Sequence, residues 1–139
     1  MFELDEILAR DSLVLGSFPL CLLLASRDGN YPWYILVPRR ADVREVFELS
    51  VVDQRQLLHE SVVLSRALRE AHGGDKLNVA ALGNMVPQLH IHHIVRYKED
   101  PAWPKPVWGT VPAQILAEDV LRARAESLLK SLSTDFERA

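Results

Sequence analysis

The stretch Gln88-Leu89-His90-Ile91-His92-His93-Ile94-Val95 carries three of the five histidines of the chain within four residues. Because side chains alternate across a β-strand, a strand here would place Gln88, His90 and His92 on one face. A buried polar side chain needs a hydrogen-bond partner, so three polar positions on one face of an apolar strand indicate a functional site. His93 points to the other face, where we expect a structural hydrogen bond.

Two kinds of chemistry use such a face. A His-x-His pair can ligate zinc, but a catalytic zinc needs a third protein ligand, and the sequence contexts of His59, His72 and Cys21 are typical of helix surface or core. Alternatively, a neutral imidazole attacks phosphorus while neighbouring donors neutralise the charge on the phosphoryl oxygens. We favour the phosphorus chemistry and predict no metal ligands.

Further strands are predicted on both sides of this stretch. Apolar runs separated by Phe18-Pro19 predict two short strands within residues 12–26, and residues 33–37 predict a third strand after the turn-forming Arg27-Asp28-Gly29-Asn30. Residues 76–82 and 89–97 complete a set of five, joined by a tight link through Gly83-Asn84. The third strand is apolar at successive positions, so both of its faces should be covered.

Helices are predicted before, between and after these strands. A long helix opens at Ser50-Val51-Val52-Asp53, which fits a capping pattern, and ends at Gly73-Gly74. A second helix is predicted from about residue 113 to 132, and short helical turns over residues 3–10 and near Val43. The proline-rich residues 101–109 predict an extended surface strap.

The composition limits the cellular setting and the partners. A chain of 139 residues predicts one domain over residues 1–139, and a net charge of −3 disfavours a nucleic-acid partner. No apolar stretch approaches membrane-spanning length, and the opening residues do not form a signal peptide, so no membrane partner is expected. The single cysteine, Cys21, lies in an apolar run and indicates a reducing compartment. We therefore predict a cytoplasmic protein.

The histidine stretch, preceded by Gly83-Asn84-Met85-Val86-Pro87, resembles the signature of the histidine triad family of nucleotide hydrolases and transferases. That signature has three histidines alternating with apolar residues. The similarity covers roughly residues 12–98, with the strands and the long helix in the family's order. It implies an α+β fold of the histidine triad type, with an antiparallel sheet of about five strands, a long helix and a C-terminal helix, assembled as a homodimer.

The resemblance also implies roles for individual residues. His90 matches the nucleophile, which takes up a nucleotidyl group from the α-phosphate, and His92 matches the histidine that contacts the phosphate. The main-chain carbonyl of Gln88 would fix the tautomer of His90. The implied substrate is a small-molecule nucleotide, a dinucleoside polyphosphate or a nucleoside phosphoramidate. No cofactor is required, although magnesium could accompany a polyphosphate.

Three positions depart from the family pattern. Gln88 replaces the first histidine of the triad and cannot become positively charged. Trp33 replaces a further histidine, and we interpret it mainly as a packing residue. Met85 replaces a hydroxyl residue that helps the leaving group. These changes remove proton-handling capacity, so the alternative function is a nucleotide-binding regulatory protein with little or no catalysis.

The resemblance suggests three substrate-binding residues besides the histidines. Asn78 matches a polar residue that touches phosphate or ribose. Asn84, beside a glycine, could offer its amide to a phosphate, and turn formation is an equal alternative. Asp28 lies near the position at which relatives bind the ribose hydroxyls. Trp103 and Trp108 resemble the tryptophan-proline tails of one branch of the family, but we favour a strap that covers the sheet.

Overall fold

The computed structural model describes residues 1–132 and 135–139, in which six strands form one antiparallel sheet in the order β4-β5-β3-β2-β1-β6. The strands are β1 Ser12–Ser17, β2 Cys21–Ser26, β3 Trp33–Pro38, β4 Lys76–Ala80, β5 Ile91–Arg96 and β6 Glu137–Arg138. The helices are α1 Glu6–Asp11, α2 Val51–His72 and α3 Glu118–Ser131, with a 3₁₀ turn at Val46–Glu48. The α+β class with an antiparallel sheet is therefore confirmed.

The sheet has one strand more than the sequence predicts. β6 pairs with the end of β1 at Gly16 and Ser17, beside a register shift in β1. A side chain at Gly16 would collide with the main chain of Glu137, so glycine permits this pairing. A strand of two exposed residues has no alternation to detect, and the sequence therefore gave no sign of it.

Helices α2 and α3 cover one face of the sheet. Ser50 caps α2, because its side chain accepts a hydrogen bond from the Asp53 main-chain nitrogen at 3.1 Å. From this helix, Ser61 Oγ lies 2.7 Å from His93 Nε2, which gives His93 the structural hydrogen bond that we expected. α3 starts at Glu118 rather than near residue 113, because residues 114–116 pair with the turn at 27–29.

The opposite face is covered by two segments that flank an open region. At one end, Phe2, Leu4 and Leu8 from the N-terminal segment pack on the cluster that includes Ile35 and Val37. At the other end, the segment 98–112 buries Ala102 and Val107 against Tyr31 and Ile94. This segment consists of turns rather than an extended strap, but it covers the sheet as expected.

The link between β4 and β5 is longer than predicted. It spans residues 81–90, so His90 precedes the strand by one residue instead of lying within it. The main-chain nitrogen of Leu89 donates to Val43 outside the sheet, and Pro87 has no N–H to offer, which delays the start of β5. No helix in the described part of the chain is long and apolar enough to cross a membrane.

Candidate active site

His90 is held at the end of the β4–β5 loop by its own main chain. Its Nδ1 lies 2.6 Å from the carbonyl oxygen of Gln88. A carbonyl only accepts hydrogen bonds, so Nδ1 carries the proton and, in the neutral ring, Nε2 keeps its lone pair. Nε2 has no hydrogen-bond partner within the described residues and is not among their buried unpaired atoms. The ring therefore presents an available nucleophilic nitrogen.

His92 lies beside His90, with ring centroids 4.9 Å apart, and has the opposite tautomer. The indole Nε1 of Trp33 donates to His92 Nδ1 at 2.9 Å, so Nε2 carries the proton in the neutral ring. Burial, with a contribution from His90, lowers the pKa of His92 to about 4, although the Leu82 carbonyl favours the charged form. Near neutral pH, His92 is therefore an uncharged N–H donor.

An apolar cavity of about 870 Å³ opens over these two rings. Trp33 and Trp108 form one wall, with the Trp108 ring 5.0 Å from that of His92. The N-terminal segment forms another wall through Ile7 and Leu8. The remaining lining residues include Asp28, Ile35, Leu82, Asn84, Met85, Val86 and Ile115. The cavity is large enough for a nucleoside and is lined as small-molecule sites usually are.

The loop before His90 lines part of this cavity. Gly83 packs so tightly that an added Cβ would lie 2.9 Å from the Val86 carbonyl and 3.9 Å from the His90 ring. Asn84 and Met85 line the cavity, and Met85 is 87% exposed. The loop therefore brings main-chain and amide groups close to His90, which suits the binding of an anion.

A model of the HIT domain, the domain of the histidine triad proteins, matches residues 8–99. The chain belongs to the histidine triad family. Three solved histidine triad proteins are similar over nearly their whole length. One from Marinobacter aquaeolei is 51% identical, with 96% of this chain and 99% of that chain covered and a TM-score of 0.88. Those from Sinorhizobium meliloti and Bradyrhizobium japonicum are 44% and 42% identical, each covering 95% of this chain and 98% of theirs with a TM-score of 0.92. No curated protein matches the chain.

In this histidine triad protein, the side chain of Gln88 is bound to the N-terminal segment. Its Oε1 accepts from the main-chain nitrogen of Asp5, and its Nε2 donates to the carbonyl of Glu3, both at 2.9 Å. Gln88 does not line the large cavity, although it lines a smaller one beside His90. The amide at the first triad position therefore positions the wall of the site rather than facing His92.

The three predicted substrate-binding residues have different surroundings. Asn84 and Asp28 line the large cavity. One carboxylate oxygen of Asp28 accepts from the main-chain nitrogens of Asn30 and Gln114, so this residue also shapes its turn. Asn78 is not brought to the histidine triad site, because its side-chain oxygen accepts from Arg96 at 2.8 Å and it lines neither cavity.

Sequence reasoning missed the contributions of two tryptophans. Trp33 was interpreted as a packing residue, but it sets the tautomer of His92. Trp108 was assigned to a covering strap, but it also forms part of the cavity wall. The signal for Trp33 was the substitution itself, because a donor-only indole replaces a histidine at a position that the family uses in the site.

Within residues 1–132 and 135–139, no group of three or more His, Cys, Asp and Glu side chains is placed to hold a metal ion. Moreover, Nδ1 of both His90 and His92 already takes part in a hydrogen bond. What the site offers is one nucleophilic nitrogen beside one neutral N–H donor.

Proposed function

We propose that this protein hydrolyses or transfers the nucleotidyl group of a small nucleotide, through a covalent intermediate on His90. The observation that carries the proposal is the 2.6 Å contact between His90 Nδ1 and the Gln88 carbonyl, which leaves Nε2 available under the large cavity. A neutral imidazole held in this way is a competent nucleophile toward phosphorus.

The reaction would proceed in two displacements at the α-phosphorus. His90 Nε2 forms the first bond to phosphorus while the bond to the leaving group breaks. The N–H of His92 and the main-chain groups of the Gly83-Asn84 loop would neutralise charge on the phosphoryl oxygens. Water or an acceptor alcohol then attacks the nucleotidyl-histidine, and this second displacement restores His90.

The large cavity would hold the nucleoside. Its apolar and aromatic lining suits a base, with Trp33 and Trp108 at one side. Asp28, which lines the same cavity, is our candidate for the ribose hydroxyls, and Asn84 is our candidate for the phosphate. We do not assign Asn78 a role in binding. Magnesium would enter only with a polyphosphate substrate, and no cofactor is required by this chemistry.

We also propose that the protein is a cytoplasmic homodimer. Strand β4 is an edge of the sheet and pairs with β5 only, among the described strands. Val79 of this strand is half exposed, and α2 exposes Leu58 and Val62. Joining two β4 edges and two α2 helices would cover these side chains, and multi-angle light scattering would report twice the chain mass. The buried, unpaired Cys21 suits a reducing compartment.

The proposal is tested by turnover of adenosine and guanosine nucleotides by the wild type and by His90→Ala, with His59→Ala as a control at an exposed histidine. We expect the wild type and His59→Ala to release nucleoside monophosphate and His90→Ala to release none. If no nucleotide is turned over while both wild type and His90→Ala bind nucleotide, the protein is a nucleotide-binding regulator instead.

A further inference from the structure

A second cavity adjoins the first at His90. It has a volume of about 380 Å³ and shares Leu82, Asn84 and His90 with the large cavity. Its other lining residues include Arg44, Glu45, Gly83 and Gln88. A phosphorus atom bound at His90 would therefore have one space available for its nucleoside and another for its leaving group.

The small cavity is polar, and Arg44 is its only cationic side chain among the described lining residues. The main-chain nitrogen of Arg44 is held by Glu48 Oε1 at 2.9 Å, which fixes the start of the side chain. Its guanidinium makes no hydrogen bond or ion pair within residues 1–132 and 135–139. Arginine binds phosphate oxygens through two parallel N–H groups, so this guanidinium is free to take an anion.

The side chains at positions 85, 88 and 92 are poorly equipped to protonate a leaving group at His90. An amine or an alkoxide needs a proton as its bond to phosphorus breaks, whereas a phosphate departs as a stable anion. The amide of Gln88 is not an acid, and both of its ends are bound to the N-terminal segment. Met85 has no proton to donate. His92 is neutral near pH 7 and already uses Nδ1 as an acceptor.

Resting on the proposed nucleotidyl transfer, we infer that the small cavity is a leaving-group subsite in which Arg44 receives a phosphate, so the substrates are nucleotidyl phosphoanhydrides rather than phosphoramidates. In the first step, His90 Nε2 bonds to the α-phosphorus and the P–O bond to the next phosphate breaks. The electron pair stays on the departing oxygen, and no proton is required. Water then cleaves the nucleotidyl-histidine, releasing nucleoside monophosphate and one proton to solvent.

The inference is tested with three substrates that differ in their leaving group. They are diadenosine tetraphosphate, adenosine 5′-phosphoramidate, and the p-nitrophenyl ester of adenosine monophosphate, which has a good leaving group without a phosphate. For the wild type, we expect kcat/KM for the tetraphosphate to exceed that for the phosphoramidate by about 100-fold or more, because unassisted expulsion of an amine is slow.

The variant Arg44→Ala tests the subsite itself. We expect the ratio of kcat/KM for the tetraphosphate to that for the ester to fall by about 10- to 100-fold, the usual value of a hydrogen bond to a charged group. Arg44→Lys should recover part of this loss. Arg55→Ala, which removes an exposed arginine outside both cavities, should leave the ratio unchanged.

The possible failures are distinguishable. If the wild type turns over none of the three substrates, the proposed function is overturned, and the subsite with it. If the ester and the tetraphosphate are turned over but Arg44→Ala leaves their ratio unchanged, only the subsite is overturned. A phosphoramidate turned over as fast as the tetraphosphate would also overturn the inference. Loss of that activity in Glu45→Gln would then identify the carboxyl group of this cavity as the acid.

Discussion

The indole of Trp33 donates a hydrogen bond of 2.9 Å to Nδ1 of His92, although the two residues are 59 positions apart in the chain. The strand register brings them together, because Trp33 pairs with Ile94, the next residue but one after His92. This hydrogen bond makes His92 a neutral N–H donor. At position 33, where the resemblance implies a histidine, this protein has an indole, which can only donate a hydrogen bond.

Trp33→Phe should remove the hydrogen bond to His92 while keeping an aromatic ring in the wall of the large cavity. The phenyl ring keeps apolar contact but cannot donate, so the tautomer of His92 is no longer fixed. We expect a decrease in kcat/KM of about 10-fold, comparable to the loss of one orienting hydrogen bond. ¹⁵N NMR of the imidazole should show a mixture of tautomers. A His92 spectrum unchanged by the substitution would contradict this role for Trp33.

Gln88→Ala should release the N-terminal segment that forms one wall of the large cavity. Two neutral hydrogen bonds are lost, so we expect KM to rise by about 10-fold while kcat changes by less than about twofold. Gln88→Glu is the matched variant, since it can still accept from Asp5 but cannot donate to Glu3. A large loss of kcat at constant KM would instead support a catalytic role for the Gln88 side chain.

Asp100→Ala should both destabilise the fold and weaken nucleotide binding. Asp100 and Arg96 form an ion pair of 2.7 Å with side chains only 3% and 2% exposed. Removing one partner leaves a buried charge unpaired, which costs about 3 to 5 kcal/mol in the free energy of unfolding. The same carboxylate binds the main chain at Ala102 and Trp103, so the segment that carries Trp108 should loosen.

Urea denaturation gives the free energy of unfolding, and Glu118→Ala provides the control. Glu118 pairs with Arg122 at the same spacing of four residues, but both side chains are more than half exposed. We therefore expect its removal to cost less than about 1 kcal/mol. Equal decreases in the free energy of unfolding of the two variants would contradict the stabilising role of the buried Arg96–Asp100 pair.

The stability of the protein should fall below about pH 6.5. Burial lowers the pKa of His93 to about 4 from an ordinary value of 6.5, although the Ile91 carbonyl favours the charged form. Between these two values the unfolded chain binds more protons than the folded one, so the stabilisation is present above pH 6.5 and is lost as the pH falls toward 4. From about pH 7.5 to pH 5, this histidine alone contributes a loss of about 2 kcal/mol.

His93→Asn checks this assignment, because asparagine does not titrate. Chemical denaturation at several pH values should show a smaller decrease in stability for the variant than for the wild type over the same interval. His92, whose pKa is also lowered to about 4, contributes to the slope that remains. An identical pH dependence in both proteins would show that His93 is not the residue responsible.

The alternation of residues 88–95 predicted correctly that His90 and His92 lie side by side, because a period of two depends on local geometry only. It did not predict that His90 precedes β5 or that the Gln88 side chain binds the N-terminal segment. The contact between the Gln88 carbonyl and His90 was predicted from the resemblance to the histidine triad family, and the structure confirms it. The partners of the Gln88 side chain could not be predicted, since they lie more than 80 positions away in the chain. A periodic pattern of residues along one strand contains no information about contacts with so distant a segment.

The start of β5 was predicted two residues too early, and Asn78, predicted to bind substrate, lines neither cavity. Both differences have similar causes. Leu89 bonds to Val43 in a distant loop, and Asn78 binds Arg96 on the neighbouring strand. Each was assigned from its position in the sequence, but its hydrogen bonds were decided by long-range packing. By contrast, the cap at Ser50 and the end of α2 at Gly73 follow from local backbone geometry, and both were predicted correctly.

The most direct test of the account is to trap the intermediate. Wild type, His90→Ala and His59→Ala are mixed with diadenosine tetraphosphate, quenched rapidly under conditions that preserve phosphoramidate bonds, digested and analysed by mass spectrometry. The account predicts an adenylyl group on His90 in the wild type and in His59→Ala, and no adenylyl group in His90→Ala. Turnover without any adenylated histidine, or adenylation at a residue other than His90, would contradict it.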